Sequence, residues 1–389
     1  MFTYSVYWIR STSQWPSRWD HLLVKEGLTV SFWTAVLWLV IACAPVVILH
    51  VLCKFLLRQL ESSHRTKGYE PLKEHTHQVE HDRTYVLSSL VGTGIQLLAA
   101  ALVAALAAVH GLRDPDSRGS MVQLSFYSFV GLGALNGYVS ARILSSFKSS
   151  NIMRSVLLSS VLPPTLVNGI LVLLNWTLDA GGYPHAIPPA TLVSLYLLTL
   201  SICSMTVYMG SWVGSFASQA DWQLVPFHGS MMHHERDSWE FHKLGFRFGG
   251  LLLVSGAVGA ALFYHLTTPP HQLSYTSLLL AFGGFVTISG CISNLSAYFQ
   301  FSSGNTKWWW ESFYVPSFAS LFLFGAGCAL STLLFWSGQG HAALMLATYS
   351  LLAASVVALA SGAIGFLSSW LLASMVANYC VKMDGRCNL

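Results

Sequence analysis

The sequence predicts an all-α, polytopic helical membrane protein with nine transmembrane helices, and three observations carry that expectation. Hydrophobic residues make up 53% of the 389 and charged residues only 9%, with a mean hydropathy of +0.54. A soluble domain of ordinary composition carries roughly a quarter charged residues. The apolar residues are gathered into uncharged blocks of about 18 or more, the length that crosses about 30 Å of hydrocarbon. Lysine and arginine, finally, collect in alternate connecting segments, as they do when only those segments face the cytosol.

In order, the expected spans are about Ser31–Phe55, Val86–His110, Met121–Leu144, Ser155–Trp176, Ala190–Ala217, Phe248–Leu266, Ser274–Phe301, Phe313–Trp336 and Ala342–Cys380. The last is long enough to tilt or to run on beyond the bilayer. With the N-terminus lumenal, the cytosolic side receives Lys54, Arg58, Arg65, Lys67, Lys73, Arg83, Arg142, Lys148, Arg154, Arg236, Lys243, Arg247, Lys307, Lys382 and Arg386. The lumenal side keeps Arg10, Arg18, Lys25, Arg113 and Arg118. This fifteen-to-five bias places the N-terminus in the lumen and the C-terminus in the cytosol. The net charge of +4 expresses that bias, and no basic groove or motif points to nucleic acid. Residues 1–30 read as a short lumenal segment and 31–380 as the transmembrane domain. Its cytosolic loops are about 57–85, 145–154, 218–247 and 302–312, and 381–389 form a cytosolic tail. The first 30 residues lack the charged and apolar regions of a cleavable signal peptide, so the first span is expected to act as a signal anchor.

Catalytic chemistry finds little to work with. Every acidic residue falls in an expected loop or flank, whereas proton relays keep an ionisable group at mid-membrane. His234-Glu235 is not followed by the spacing of a zinc hydrolase motif. His75, His77 and His81, and His228, His233, His234 and His242, lie in expected cytosolic loops without a ligand spacing. They read as solvated loop residues. No enzyme activity, metal or cofactor is expected. Cys43, Cys53, Cys203, Cys291 and Cys328 fall inside spans and make no disulfide framework. The Asn175-Trp176-Thr177 acceptor pattern hugs the membrane and is expected to stay unmodified.

What remains is mild intramembrane polarity. Gln96, Asn136, Asn168 and Asn294 are amides that in lipid bond across helices, and Gly133 and Gly137 form a small-xxx-small pair that lets helices approach. These residues read either as packing within the chain or as a surface for another protein's transmembrane helix. Pro163-Pro164 removes two backbone donors from the fourth span and should kink it or open a polar seam. The run Lys307-Trp308-Trp309-Trp310-Glu311 reads as an interfacial collar. Three adjacent indoles cannot share one helix face, and indoles favour the headgroup zone.

Several stretches together resemble one family. "VLSSLVGTGIQLL" (86–98), "SRGSM" (117–121), "GYVSARIL" (137–144), "YFQF" with "KWWWESF" (298–313) and "SGAIGF" (361–366) are similar to the nonaspanins, the transmembrane 9 superfamily, in the family's order and at about its spacing. "YSVYW" (4–8) resembles the last strand of the family's large lumenal domain, so the chain is expected to be that family's membrane half alone. The resemblance implies a protein of Golgi and endosomal membranes that sorts or delivers other membrane proteins. Its expected partners are the lipid bilayer, the transmembrane helices of cargo, and vesicle coat proteins. Lys382-Met383-Asp384 resembles the family's coat-binding signal, which Gly385–Leu389 would mask if it is read at the free C-terminus. The alternative is a transporter of a neutral solute or lipid through a polar seam at Gln96, Asn136 and Asn168.

Overall fold

A computed structural model describes residues 47–56, 58, 83–109, 120–147, 151–180, 187–217, 247, 249–250, 253–256, 275–302 and 308–387. The segment 1–30, most of the first and sixth expected spans, Lys307 and both histidine clusters lie outside the described residues. All the described elements are helices: α1 (Val47–Leu56), α2 (Thr84–Val109), α3 (Ser120–Gly131), α4 (Gly133–Ser146), α5 (Ile152–Ala180), α6 (Pro189–Ala217), α7 (Tyr275–Ser302), α8 (Trp308–Ser317), α9 (Ala319–Trp336) and α10 (Gly340–Cys387). In lipid every backbone group must be satisfied within the protein, which leaves helices as the natural form for such apolar runs. Among the described residues, five stretches are long and apolar enough to cross a membrane: Thr84–Ala107, Ile152–Asp179, Pro189–Phe216, Trp308–Trp336 and Gly340–Val376.

Three helices depart from the expected spans. The third is broken at Leu132, between Gly131 and Gly133, into α3 and α4. The eighth begins at Trp308 rather than Phe313 and is interrupted near Pro316, giving α8 and α9. The ninth runs from Gly340 to Cys387, 48 residues or about 72 Å, well beyond the hydrocarbon thickness. A tight turn joins α9 to α10. Gly338 takes φ +83, a conformation only glycine adopts cheaply, while the Ser337 and Gln339 amides donate to the Leu333 and Leu334 carbonyls at 3.1 and 3.0 Å.

Packing centres on α2 and α10. Gly94 of α2 sits directly under the Leu359 carbonyl of α10, and Leu87, Val91, Ile143, Phe313, Ala363 and Phe366 form the core where α2, α4, α8 and α10 meet. On one flank α4 packs on α6; on the other, α1, α7 and α8 pack against α10. Apolar side chains lie on the outside as well as in the core. The buried set is rich in serine, threonine and amides, while Leu197, Met205, Trp212 and Phe216 of α6 and Phe322, Leu330, Leu333 and Phe335 of α9 face outward. Buried hydroxyls commonly donate to their own helix one turn back, as Thr93 does to Ser89 and Ser331 to Gly327, which removes a donor that lipid could not satisfy.

Charge is sorted by end. Among the described residues up to Val376, Lys54, Arg58, Arg83, Arg142, Arg154, Arg247 and Glu311 lie at one end of the bundle and Asp179 alone at the other. That first end is called the basic end below.

Candidate functional site

The side chains singled out in the sequence converge on places where a helix is interrupted. An α-helix bonds each carbonyl to the N–H four residues on, so a proline or a break leaves carbonyls bare. Pro163 bares the Ser159 carbonyl, and the Asn136 amide of α4 donates to it at 3.2 Å. The same Asn136 nitrogen donates to Gln96 Oε1 at 2.9 Å, and Gln96 Nε2 donates to the Phe129 carbonyl at 2.8 Å. Phe129 lies in the last turn of α3, where the break at Leu132 leaves carbonyls free. Thr206 of α6 donates to the neighbouring Val130 carbonyl at 3.2 Å.

Serines extend this seam toward the basic end. Ser140 lies 3.1 Å from Asn136 Oδ1 and 3.0 Å from the Ser88 carbonyl, Ser159 donates to Ser140 at 3.2 Å, and Ser88 meets Ser155 at 2.8 Å. Gln96 and Asn136 are fully buried. The seam therefore works as a joint between α2, α3, α4 and α5. Asn168, grouped with these amides in the sequence reading, is not part of it. Its amide donates to the Pro164 carbonyl of its own helix at 2.8 Å.

Gly133 and Gly137 face inward. A Cβ on Gly133 would strike the Thr206 hydroxyl, and one on Gly137 the Val207 carbonyl, both on α6. The approach is reciprocal, because a Cβ on Gly210 would strike the Ala134 carbonyl and one on Gly214 would crowd Tyr138. Two Gly-xxx-Gly pairs thus press α4 and α6 together. Gly92 was not singled out in the sequence; a Cβ there would occupy the place of Asn136 Oδ1 and Ser140 Oγ.

A second joint has the same logic and no amide at its centre. Pro316 bares the Ser312 carbonyl, and Ser293 of α7 donates to it at 2.8 Å. The Ser293 hydroxyl also lies 2.9 Å from the Gly365 carbonyl and 2.9 Å from the Ser369 hydroxyl of α10. Gly362 and Gly365 admit this contact, since a Cβ on Gly365 would meet Pro316 Cγ and the Ser312 carbonyl. Periodicity gives no sign of Ser293. The available signals were Pro316 itself and the paired glycines of "SGAIGF". Asn294 points elsewhere, donating to the Cys53 thiol of α1 at 3.3 Å.

The three tryptophans diverge, as about 100° per residue requires. Trp308 is 5% exposed, stacked on Phe366 with ring centroids 6.3 Å apart and edge-on to Phe301 at 5.5 Å. Its indole is thus packed against protein side chains on two sides. Trp309 meets Phe147 at 5.4 Å, in the turn between α4 and α5, and Trp310 stacks on Tyr314 at 5.4 Å. Both are half-buried. Glu311 lies in the first turn of α8, where the helix dipole favours a carboxylate, and Arg247 grips it at 2.7 and 3.0 Å from one nitrogen and 3.2 Å from another. Lys382, Met383 and Asp384 fall in the last turns of α10.

Brominated lipids should separate the three indoles. A variant keeping only Trp310 should be quenched by bromines near the headgroup, and one keeping only Trp308 much less. Equal strong quenching of both would mean that Trp308 lies in lipid. Among the described residues no three His, Cys, Asp or Glu side chains gather as a metal site. Asn175 clasps the Ile187 backbone with both amide atoms, at 2.9 and 2.6 Å, and so ties the end of α5 to the start of α6.

Residues 1–332 match the family model described as endomembrane protein 70. The chain belongs to that family. Transmembrane 9 superfamily member 4 of Homo sapiens is 25% identical over 338 residues, covering 83% of this chain and 52% of its own length. Member 8 of Arabidopsis thaliana is 26% identical over 337 residues with the same shares, and member 11 is 26% identical over 415 residues, covering 99% of this chain and 61% of its own. The chain thus spans about half the length of the first of these relatives. No solved structure matches it. The stretches through which the sequence resembles the endomembrane protein 70 family contribute residues to both joints. Gly92, Gly94 and Gln96 lie in the first, Gly137 and Ser140 in the third, and Gly362 and Gly365 in the last.

Proposed function

We propose that this endomembrane protein 70 family member is a sorting factor for other membrane proteins, acting by helix-to-helix contact in Golgi and endosomal membranes. In this reading nine helices cross the bilayer, the basic end faces the cytosol and the chain is not an enzyme. Vesicle coat proteins would meet the tail at Lys382–Asp384. One observation favours contact over conduction. The interior amides are consumed in joints between helices, while in Pro189–Phe216 and Trp308–Trp336 only 17% of the most apolar stretch is buried inside the described chain. A long apolar helix with an uncovered flank can receive a neighbour; a seam closed by its own hydrogen bonds offers a solute no ready path.

Photo-cross-linking groups at Met209 on α6 and Leu330 on α9, both outward-facing, test this. The expected result is covalent adducts with particular membrane proteins that leave the Golgi or endosomes when this chain is depleted. The same group at the buried Ala363 should give none. Adducts with lipid alone, together with specific solute or lipid movement in liposomes holding the purified chain, would replace the sorting reading with transport.

A further inference from the structure

We propose that Arg247 is a strap across the joint between α8 and α9, and that its release lets α9 swing away from the line of α8. This goes beyond the sorting role and does not rest on it.

The two sides of the joint are held differently. On the α8 side, Ser293 reaches the Ser312 carbonyl, and the Ser361 and Ser317 hydroxyls, which also bond back to Val357 and Phe313 at 2.6 and 2.7 Å, lie 3.2 and 2.8 Å from the Pro316 and Ala358 carbonyls, so polar contacts tie α8 to α7 and α10. On the far side, the hydroxyls of α9 turn back on their own chain. Ser320 donates to Ser317, Ser331 to Gly327 and Thr332 to Ala329. Among the described elements, the substantial packing of α9 is against α10. Between the two helices Pro316 supplies no N–H, and the Leu321 amide bonds three residues back to Phe318, a tighter turn than the α-helix makes. Sharp bends form where the backbone ladder is broken in this way.

Arg247 touches both sides at once. Its guanidinium takes the Glu311 carboxylate in two-pronged fashion at 2.7 to 3.2 Å, and its central carbon sits 5.4 Å from the centre of the Phe318 ring. Glu311 belongs to the first turn of α8, and Phe318 is the residue between α8 and α9. Arginine suits this use because its planar head can pair with a carboxylate and lie over a ring together, which lysine cannot do. Described residues that follow Arg247 lie at the same joint. Gly250 packs under the Val315 carbonyl, and Val254 is buried with Ile292, Val315 and Ala319. The strap thus has one anchor on pinned α8, one at the bend, and a seat beside both.

The experiment uses the full chain in phosphatidylcholine nanodiscs, with spin labels attached bio-orthogonally at positions 171 on α5 and 330 on α9, both exposed. Native protein should give one narrow distance distribution. Arg247→Ala should add a second, shifted distance, and Arg247→Lys a smaller second component, since charge remains but the ring contact and two-pronged grip are lost. A pair of labels at positions 171 and 208, on α5 and α6, should not change in either variant. If Arg247→Ala folds with the native distribution at 171 and 330, the strap is overturned. If that variant does not fold, Phe318→Leu decides, because it removes the ring and keeps the ion pair: broadening supports the strap and an unchanged distribution overturns it.

Discussion

Replacing Gly133 and Gly137 together by leucine is expected to cost the fold more than any other pair of substitutions considered. Both added side chains would have to occupy the space of Thr206 and of the Val207 and Ser211 backbone on α6. Backbone cannot rotate away as a side chain can, so α4 and α6 must separate. Separation also undoes the reciprocal contacts of Gly210 with Ala134 and of Gly214 with Tyr138. Overpacking a tight contact costs about 1–3 kcal/mol per site, and two adjacent sites should reduce the yield of folded protein severely. Gly169→Ala is the matched control, because nothing lies within 4 Å of a Cβ added there. That change should be neutral or mildly stabilising, since alanine is the better helix former. Thermal melting in detergent and folded yield would be measured for both. Native-like melting of the double variant would mean that the two helices are not held at this distance.

Asn136→Leu carries the second-largest expected effect. The substitution removes the donor to the Ser159 carbonyl that Pro163 leaves bare, the donor to Gln96, and the acceptor facing Ser140. An interhelical hydrogen bond within a bilayer contributes about 0.6 kcal/mol on average and up to about 1.7. A stranded buried polar group adds about 1–3 kcal/mol. A total loss of about 3 kcal/mol follows. Asn168→Leu removes a single bond within α5 and should lose about 1 kcal/mol or less. Reversible unfolding of the two variants side by side gives the comparison. Equal losses would show that the seam around Asn136 contributes no more than an isolated amide.

The contrast between these asparagines marks the limit of what a sequence displays. Composition and uninterrupted apolar runs were enough to specify helices in a membrane, because hydrocarbon permits so few other backbones. The Gly133-xxx-Gly137 spacing announced a close helix approach, and the divergence of three adjacent indoles followed from helical periodicity. The side chain's partner is a different matter. Asn136 and Asn168 are both membrane-helix asparagines followed by a glycine, and only the arrangement of α2, α3, α4 and α5 sends one across to Gln96 and leaves the other on its own helix. Ser293 is one of many serines in α7, and its role depends on a proline in the next helix. The break at Leu132 was hidden because glycines on either side also suit an unbroken membrane helix. The ring pocket of Trp308, Phe301 and Phe366, is equally hidden in the sequence, because it is assembled from two other helices.

The joints also bear on how such a chain is made. A membrane protein is synthesised from its N-terminus, and each new helix leaves the ribosome after those before it. Gln96 precedes the bare carbonyl of Phe129, Asn136 precedes that of Ser159, and Ser293 precedes that of Ser312. In each pair the donor is translated first, and the interrupted helix comes second. A proline-broken segment that would be costly to leave alone in hydrocarbon therefore arrives where the group that completes it has already been made. Thr206, which serves the Val130 carbonyl from a later helix, reverses that order. During translation α3 must wait for α6 to finish its last turn.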